Sequence, residues 1–289
     1  MKPECLTCGA PLAEVRDMST LDAKTRGRTS PGRLRALDAY LCRFESALLT
    51  RVDGPWAQGV FVDVGFGEHP WTTLESAEAF RVLHPELTVV GVELDATRAQ
   101  AAQVHAGPRT HFRQGGFELP LSADEPARLV RAMNVLRQGP VERVPEVHHA
   151  LSRFLLPSGL LVEGSSDPEG SVLAAHLLRR PAQDAGLAPA REALLFHTTF
   201  RHGFAPWQFR DWLPRDLRRR VRPGEPMHDF FQTWNEVWQH ARDTGYTAPH
   251  DAFRESVTRL ASRVSGVAVD SWLLDSGYLS WRPDGGICP

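Results

Sequence analysis

The sequence predicts an α/β fold: a doubly wound, mostly parallel sheet of seven strands, with a helical extension before it and an insertion between its last strands. Three features lead there. Short apolar runs alternate with segments of helical period from residue 59 to about 165. Two of the runs, GVFVDVGF and LTVVGVELD, are apolar almost throughout, as strands covered on both faces are. The first run ends in a glycine-containing turn that opens directly onto a helix. Alternation of this kind closes through right-handed crossovers and leaves helices on both faces of the sheet.

The elements follow in order. Residues 1 to about 30 are polar, broken by Gly and Pro, and carry no period, which reads as an irregular arm. In SPGRLRALDAYLCRFESALL, Ser30 is placed to cap a helix with Pro31 at its first position, and Leu34, Leu37, Leu41, Phe44 and Leu48 recur at helical spacing. GVFVDVGF is then a strand, TTLESAEAFRVLH a helix, LTVVGVELD a second strand and ATRAQAAQVHA a second helix. THFRQGGF reads as a weaker third strand and ARLVRAMNVL contains a fourth. VERVPEVHHALSRFLL is largely helical despite Pro145, and SGLLVEGS is a fifth strand. Beyond about residue 170 the pattern loosens. EALLFHTTF is a candidate sixth strand, DAFRESVTRLASRVSG returns to helix, and VAVDSWLLDSGYLSWRP supplies one or two closing strands. The expected organisation is an arm and helix over 1–50 and one domain over 51–289, with a lid-like insertion at about 203–245 that is rich in Trp, Arg and Pro.

Composition narrows the function classes. The 289-residue chain is 42% hydrophobic, and its formal charge of −2 sets up no global field that would attract nucleic acid or an anionic membrane. No apolar run approaches the ~20 residues of a bilayer span, and MKPECLTCGAPL lacks the apolar core of a secretory signal. A cytoplasmic protein without a membrane contact is expected. Four cysteines make no disulfide framework in a chain this long. Cys5 and Cys8 form half of a zinc knuckle without its other half, so no metal site is assigned and the pair reads as free thiols on the arm.

In an open parallel sheet the ligand lies at the carboxyl ends of the strands, where strand order reverses. Gly65 and Gly67 let the backbone turn sharply there and approach a ligand, while the following helix presents free N–H groups. Glu93, closing the second strand, is placed to accept hydrogen bonds from a ribose. A dinucleotide fingerprint would need a third glycine at position 70, which is Pro70, with His69 before it. A bulkier turn suits a ligand without a pyrophosphate, which disfavours a nicotinamide enzyme.

These residues resemble the class I S-adenosylmethionine-dependent methyltransferases. VDVGFG is similar to their first motif, VVGVELD to the second, FRQGGFELPL to the segment after the third strand, LVRAMNVLRQ to the fourth, and LLPSGLLVEG to the hairpin into the fifth. The resemblance spans residues 59 to 165; with TRGRTSPGRLRALD and LPRDLRRRVRPGEPMHDFF it points to a bacterial branch. It implies a Rossmann-like fold and S-adenosylmethionine as cofactor. Asp63, Gly65 and Gly67 would surround its methionine part, Glu93 its ribose, and Leu94, Gly116 and Phe117 would stand near the adenine. The family commonly has an acid near the adenine amine, where this chain has Gly116 and Phe117.

Methyl transfer from a sulfonium is an in-line displacement in which alignment supplies much of the acceleration. Asn134, after the fourth strand, falls where the family places groups beside the transferring methyl, although VLRQ follows it and not the Pro-Pro-aromatic signature of enzymes acting on exocyclic base amines. Its structural alternative is a polar strand end capping the next turn. Arg137, His197 and Arg201 are the candidate substrate contacts; His148 and His149 read as ordinary histidines of a helix. Arginines at 215, 218, 219, 220 and 222, and basic residues at 24, 26, 28, 33 and 35, could bind phosphate beside Trp207 and Trp212. Such runs are more often solvated faces, and the tryptophans at 207, 212, 234 and 238 more often pack an accessory layer. A small-molecule acceptor is therefore favoured over RNA. The other reading is a binding or regulatory protein that keeps the fold without turnover.

Overall fold

The computed structural model describes residues 29–183 and 188–283. Cys5, Cys8, Lys24, Arg26 and Arg28 lie outside the described residues, and with them the half-knuckle and three of the five residues of the first basic cluster.

Eight strands form one sheet. They are β1 (Val60–Val64), β2 (Val89–Glu93), β3 (Thr110–Gln114), β4 (Ala127–Met133), β5 (Leu155–Ser166), β6 (Val172–Arg179), β7 (Ala190–Thr198) and β8 (Tyr278–Trp281). Their spatial order is β3-β2-β1-β4-β5-β6-β7-β8. The first five run parallel, as the buried apolar runs require, and β1, β2 and β4 are buried along their whole length. From β5 onward the pairing is antiparallel, a meander through β6 and β7 to β8. The sheet thus has one strand more than the seven expected. The additional strand is β6: VLAAHLLR mixes alanine and leucine without alternation, and pairing along β5 overrides that helical leaning.

The helices are α1 (Arg35–Phe44), α2 (Ser46–Thr50), α3 (Trp71–Arg81), α4 (Ala96–Ala101), α5 (Val144–Ser152), α6 (Arg215–Arg218), α7 (Pro226–Asp243), α8 (Pro249–Ala261) and α9 (Ser271–Asp275). Residues of α1, α2 and α3 share one core cluster with Phe61, Val89, Leu129 and Leu195 of the sheet. On the opposite face α5 packs through Val144, Val147 and Leu151, and next to it the helices between β7 and β8 bury Phe209, Leu217, Phe231, Trp234 and Phe253. Helices therefore cover both faces. The insertion forms a packed layer over β6, β7 and β8, with the Trp234 indole fully buried and stacked on Phe209 at 5.5 Å.

The first helix starts later than its sequence suggests. Gly32 takes a left-handed φ of 77°, and its N–H donates to both carboxylate oxygens of Glu75 at 2.8 Å, so Ser30 and Pro31 sit in a turn and α1 begins at Arg35. Pro145 lies in the first turn of α5, where its missing N–H costs nothing.

Arg128 holds the amino-terminal extension against the sheet. It is fully buried on β4, and its guanidinium donates to the carbonyls of Gly59, Leu48, Leu49 and Trp56 at 2.6–3.0 Å. Burial without a carboxylate partner pulls its pKa down to about 10, which leaves it charged at neutral pH. Arg128→Met would remove its donors from the Gly59 and Leu48 carbonyls and one of two partners from those of Leu49 and Trp56, and a loss of about 3–5 kcal/mol is expected by urea denaturation. Arg128→Lys should recover only part of that loss, because an ammonium lacks the planar fork that reaches all four acceptors.

Candidate functional site

Strand order fixes where a ligand can sit. β2 and β3 lie on one side of β1 and β4 on the other, so the crevice opens between the carboxyl ends of β1 and β4. The turn after β1 occupies its floor. Gly65 and Gly67 have φ of 74° and 86°, values that a side chain would strain, and the Gly65 N–H donates to the Val92 carbonyl at 2.7 Å. Gly65 is exposed, while Pro70 is buried immediately before α3, where a third glycine would have stood. His69 stacks on Trp71 with ring centroids 4.5 Å apart, filling the mouth of the turn with rings.

Glu93 stands at the tip of β2 and points at this turn. One carboxylate oxygen accepts from the Gly67 N–H at 2.8 Å, and the other accepts from the Asp95 N–H at 3.2 Å. The side chain is 2% exposed, with Arg98 at 3.8 Å. Asp95 caps α4 by accepting from the N–H groups of Thr97 and Arg98. The carboxylate of Glu93 is thus fixed beside the backbone a ligand would touch.

Asp63 has another occupation. Its Oδ1 accepts from Arg131 Nε at 2.9 Å, and its Oδ2 accepts from the hydroxyls of Thr73 at 2.7 Å and Thr72 at 3.2 Å. Arg131, fully buried on β4, also donates to Asp38 of α1 at 2.7 Å, to Ser76 Oγ at 2.7 Å and to the Thr72 carbonyl at 3.2 Å. Ser76 passes its own hydroxyl proton on to Asp38 at 2.8 Å. This network ties α1, β1, α3 and β4 together beneath the glycine turn. The sequence held no sign of it beyond a charged residue inside an apolar strand, and that is the signal that could have found it.

The remaining expected residues divide between crevice and core. Asn134 follows β4 at φ 63°; its amide donates to Ser166 Oγ at 3.2 Å and its carbonyl accepts from the Ser166 N–H at 3.1 Å, clamping the ends of β4 and β5. Val135 packs on the turn: a Cβ built at Gly65 would stand 2.7 Å from its Cγ2. Leu94 is 39% exposed at the end of β2 and lies near Gly116, whereas Phe117 is 8% exposed and belongs to the core beneath β1 and β2. Arg137 lies in the loop after β4 with its guanidinium 4.2 Å from the Trp212 ring centroid. That contact brings the insertion to the rim of the crevice, as does the Arg215 bond to the Gly139 carbonyl at 2.9 Å.

His197 and Arg201 are elsewhere. His197 is 5% exposed within β7, opposite Tyr278 of β8 with ring centroids 4.5 Å apart, and Tyr278 bonds the Ala36 carbonyl of α1. Burial pushes the imidazole pKa down to about 4, so it is a neutral core group under α1. Arg201 pairs on the surface with Glu169 at 2.7 Å. β7 ends on the same edge of the sheet as β4, but three strands away from it, and this lateral distance keeps both residues out of the crevice. Arg218 pairs with Asp211, and Arg220 and Arg222 share Glu225, so this arginine run is largely matched by its own acids. Arg33 is bound to Ser166 and to the Asp167 carbonyl, which lays the chain before α1 over the end of β5.

No protein-family model matches the chain, and no curated protein matches it. Among solved structures it is similar to a methyltransferase with bound S-adenosylmethionine acting on an amino pentose, from Micromonospora echinaspora, at 20% identity over 60% of this chain and 70% of that one, TM-score 0.33. It is similar also to magnesium protoporphyrin IX methyltransferase from Synechocystis PCC 6803, at 17% identity over 45% and 53%, TM-score 0.33. A third is an S-adenosylmethionine-dependent methyltransferase from Mesorhizobium loti, at 18% identity over 46% and 56%, TM-score 0.31. The aligned part spans about half of the latter two chains and less than a third of several others.

Two outcomes test the floor of the crevice. Gly65→Ala combines a left-handed φ with a collision against Val135 and should cost about 1–3 kcal/mol of stability in denaturant melts. Burial, opposed by Arg131, raises the Asp38 pKa to about 6 from 3.8. Between those values the folded state keeps a proton that the unfolded state has released, so the Asp38 contribution to stability is whole below pH 3.8 and is lost as pH rises through 6. Asp38→Asn should therefore gain stability relative to the parent chain as pH rises from 4 to 7, and a difference independent of pH would contradict this account.

Proposed function

We propose that this chain binds S-adenosylmethionine at the tips of β1, β2 and β4 and transfers its methyl group to a small-molecule acceptor. The observation that carries the reading is Glu93: a buried carboxylate at the end of the second parallel strand, joined to the Gly67 N–H across a turn of two left-handed glycines. A carboxylate so placed suits vicinal ribose hydroxyls, because it accepts from both without moving its backbone. Gly65 and Gly67 allow close main-chain approach, and the half-exposed Leu94 beside Gly116 offers an apolar edge to a base. When bound, the sulfonium supplies an electrophilic methyl carbon whose bond to sulfur breaks as the acceptor's lone pair attacks.

The chain's own contribution is placement. Asn134 acts by holding the β4 loop through Ser166, so it is a positioning residue, and Arg137 on Trp212 forms the wall on the acceptor side. The insertion between β7 and β8 then selects the acceptor, since it supplies that wall. Asp63 supports the turn from below through Thr72, Thr73 and Arg131.

One observation favours a second reading, a binding or regulatory protein of the same fold without turnover: the amide of Asn134 and the carboxylate of Asp63 are both committed to the scaffold, and Val135 lies against Gly65. Calorimetry with S-adenosylmethionine and S-adenosylhomocysteine separates the outcomes. Binding of both, weakened about 10- to 100-fold in Glu93→Gln, is expected. Absence of binding by either would end the proposal, and binding without methyl transfer to any component of a metabolite extract would favour the second reading.

A further inference from the structure

The sheet contains a second cluster of titratable groups, away from the crevice and serving none of its interactions. Glu163 of β5 and His176 of β6 are direct cross-strand partners, 1% and 0% exposed, on the face covered by α5 and the insertion. Asp216 of α6 descends onto them from the insertion, and His148 of α5 approaches from the other side. His176 Nε2 lies 3.0 Å from Asp216 Oδ1 and 3.3 Å from Oδ2, and His148 Nε2 lies 3.3 Å from Glu163 Oε2. One ligand atom from each of Glu163, His176 and Asp216 falls within 4.8 Å of the others. Arg191 of β7 holds Asp216 Oδ2 at 2.6 Å.

As a network of protons alone this cluster is incomplete. His176 Nδ1 is buried with no hydrogen-bond partner, and so is Arg191 Nη1. Two carboxylates, two imidazoles and one guanidinium are gathered here out of water. The His176–Asp216 separations of 3.0 and 3.3 Å also fit the edges of a tetrahedron around zinc, about 3.3 Å for bonds of about 2.0 Å.

We infer that Glu163, His176 and Asp216 hold a zinc ion that staples the insertion to the sheet. An imidazole and two carboxylates are a borderline donor set that suits zinc, and His148 steadies Glu163 from beside the site. The ion joins β5, β6 and α6 where the parallel half of the sheet gives way to the meander. Arg191 fixes the orientation of Asp216 from outside the coordination sphere, as hydrogen-bonded neighbours of metal ligands commonly do. The inference does not depend on the cofactor proposal.

The test uses the full chain, grown with trace metals and purified without chelators or affinity metals. Close to one zinc per chain is expected by mass spectrometry of the metal content, retained in Cys5→Ser/Cys8→Ser and falling about 100-fold in affinity in Asp216→Asn. Cobalt(II) titration of the wild-type chain gives a readout that does not depend on the stability of the variant. Visible bands of a tetrahedral nitrogen and oxygen site, without a thiolate charge-transfer band, would support the assignment. A folded chain free of metal whose melting temperature ignores added zinc would overturn it, as would metal that disappears with the two cysteines or survives Asp216→Asn undiminished.

Discussion

A single buried guanidinium organises the working end of this molecule. Arg131 sits on β4 with no exposed surface, between the carboxylates of Asp38 and Asp63, and its other donors end on Ser76 and the Thr72 carbonyl. Taking three charges out of water is costly, and the interior repays the cost only when every donor and acceptor is matched. That requirement fixes geometry. Asp63 must end β1 facing α3, α3 must start so that Thr72 and Thr73 reach it, and α1 must lie where Asp38 meets the same arginine. The glycine turn between β1 and α3 bridges the gap these contacts leave, and Glu93 then meets Gly67 across it.

Two halves of the sheet follow different logic. The parallel half, β3-β2-β1-β4-β5, is closed on both faces and builds the crevice at its carboxyl edge. The antiparallel half is a platform for a layer of aromatic side chains, in which Phe196 of β7 touches Phe209, Phe230, Phe231 and Trp234. The two meet along β5 and β6, whose shared face is apolar except at Glu163, Ser165 and His176. Polar groups in so dry a seam fix which helix lies over which strand, since any other placement would leave them unpaired. On the crevice side of that seam Arg137 and Trp212 join the insertion to the loop after β4, so the layer and the proposed acceptor wall are one mechanical unit.

Much of the architecture was legible along the chain, and the reason is local. β1 and β2 are apolar throughout because both their faces are covered, and such runs bounded by glycine or proline have few alternatives. Gly65 and Gly67 could be assigned to a tight turn because only glycine takes their φ without strain. Glu93 stood out as an acid closing a buried strand, and the structure puts it beside that turn. β6 was not legible, because VLAAHLLR has neither the alternation of a strand nor the polar face of a surface helix. His197 looked like a loop residue near a ligand because the sequence has no way to announce that β6 comes between β5 and β7, which sets its ring three strands from β4 and beneath α1.

The sequence by itself determined the order of the elements, the chirality of the parallel half and the place of the crevice, because hydrophobic period and glycine conformation act over a few residues and need no distant partner. Only the tertiary structure decided which charges are scaffold and which face a ligand. Asp63 and Glu93 close neighbouring strands in similar apolar settings, yet one is taken by Arg131, 68 residues away, and the other by a backbone N–H of the turn. The gathering of Glu163, His176, Asp216 and His148 was decided in the same way. Whether a buried charge finds its counterpart depends on long-range packing, and one strand of sequence carries no distance information of that kind.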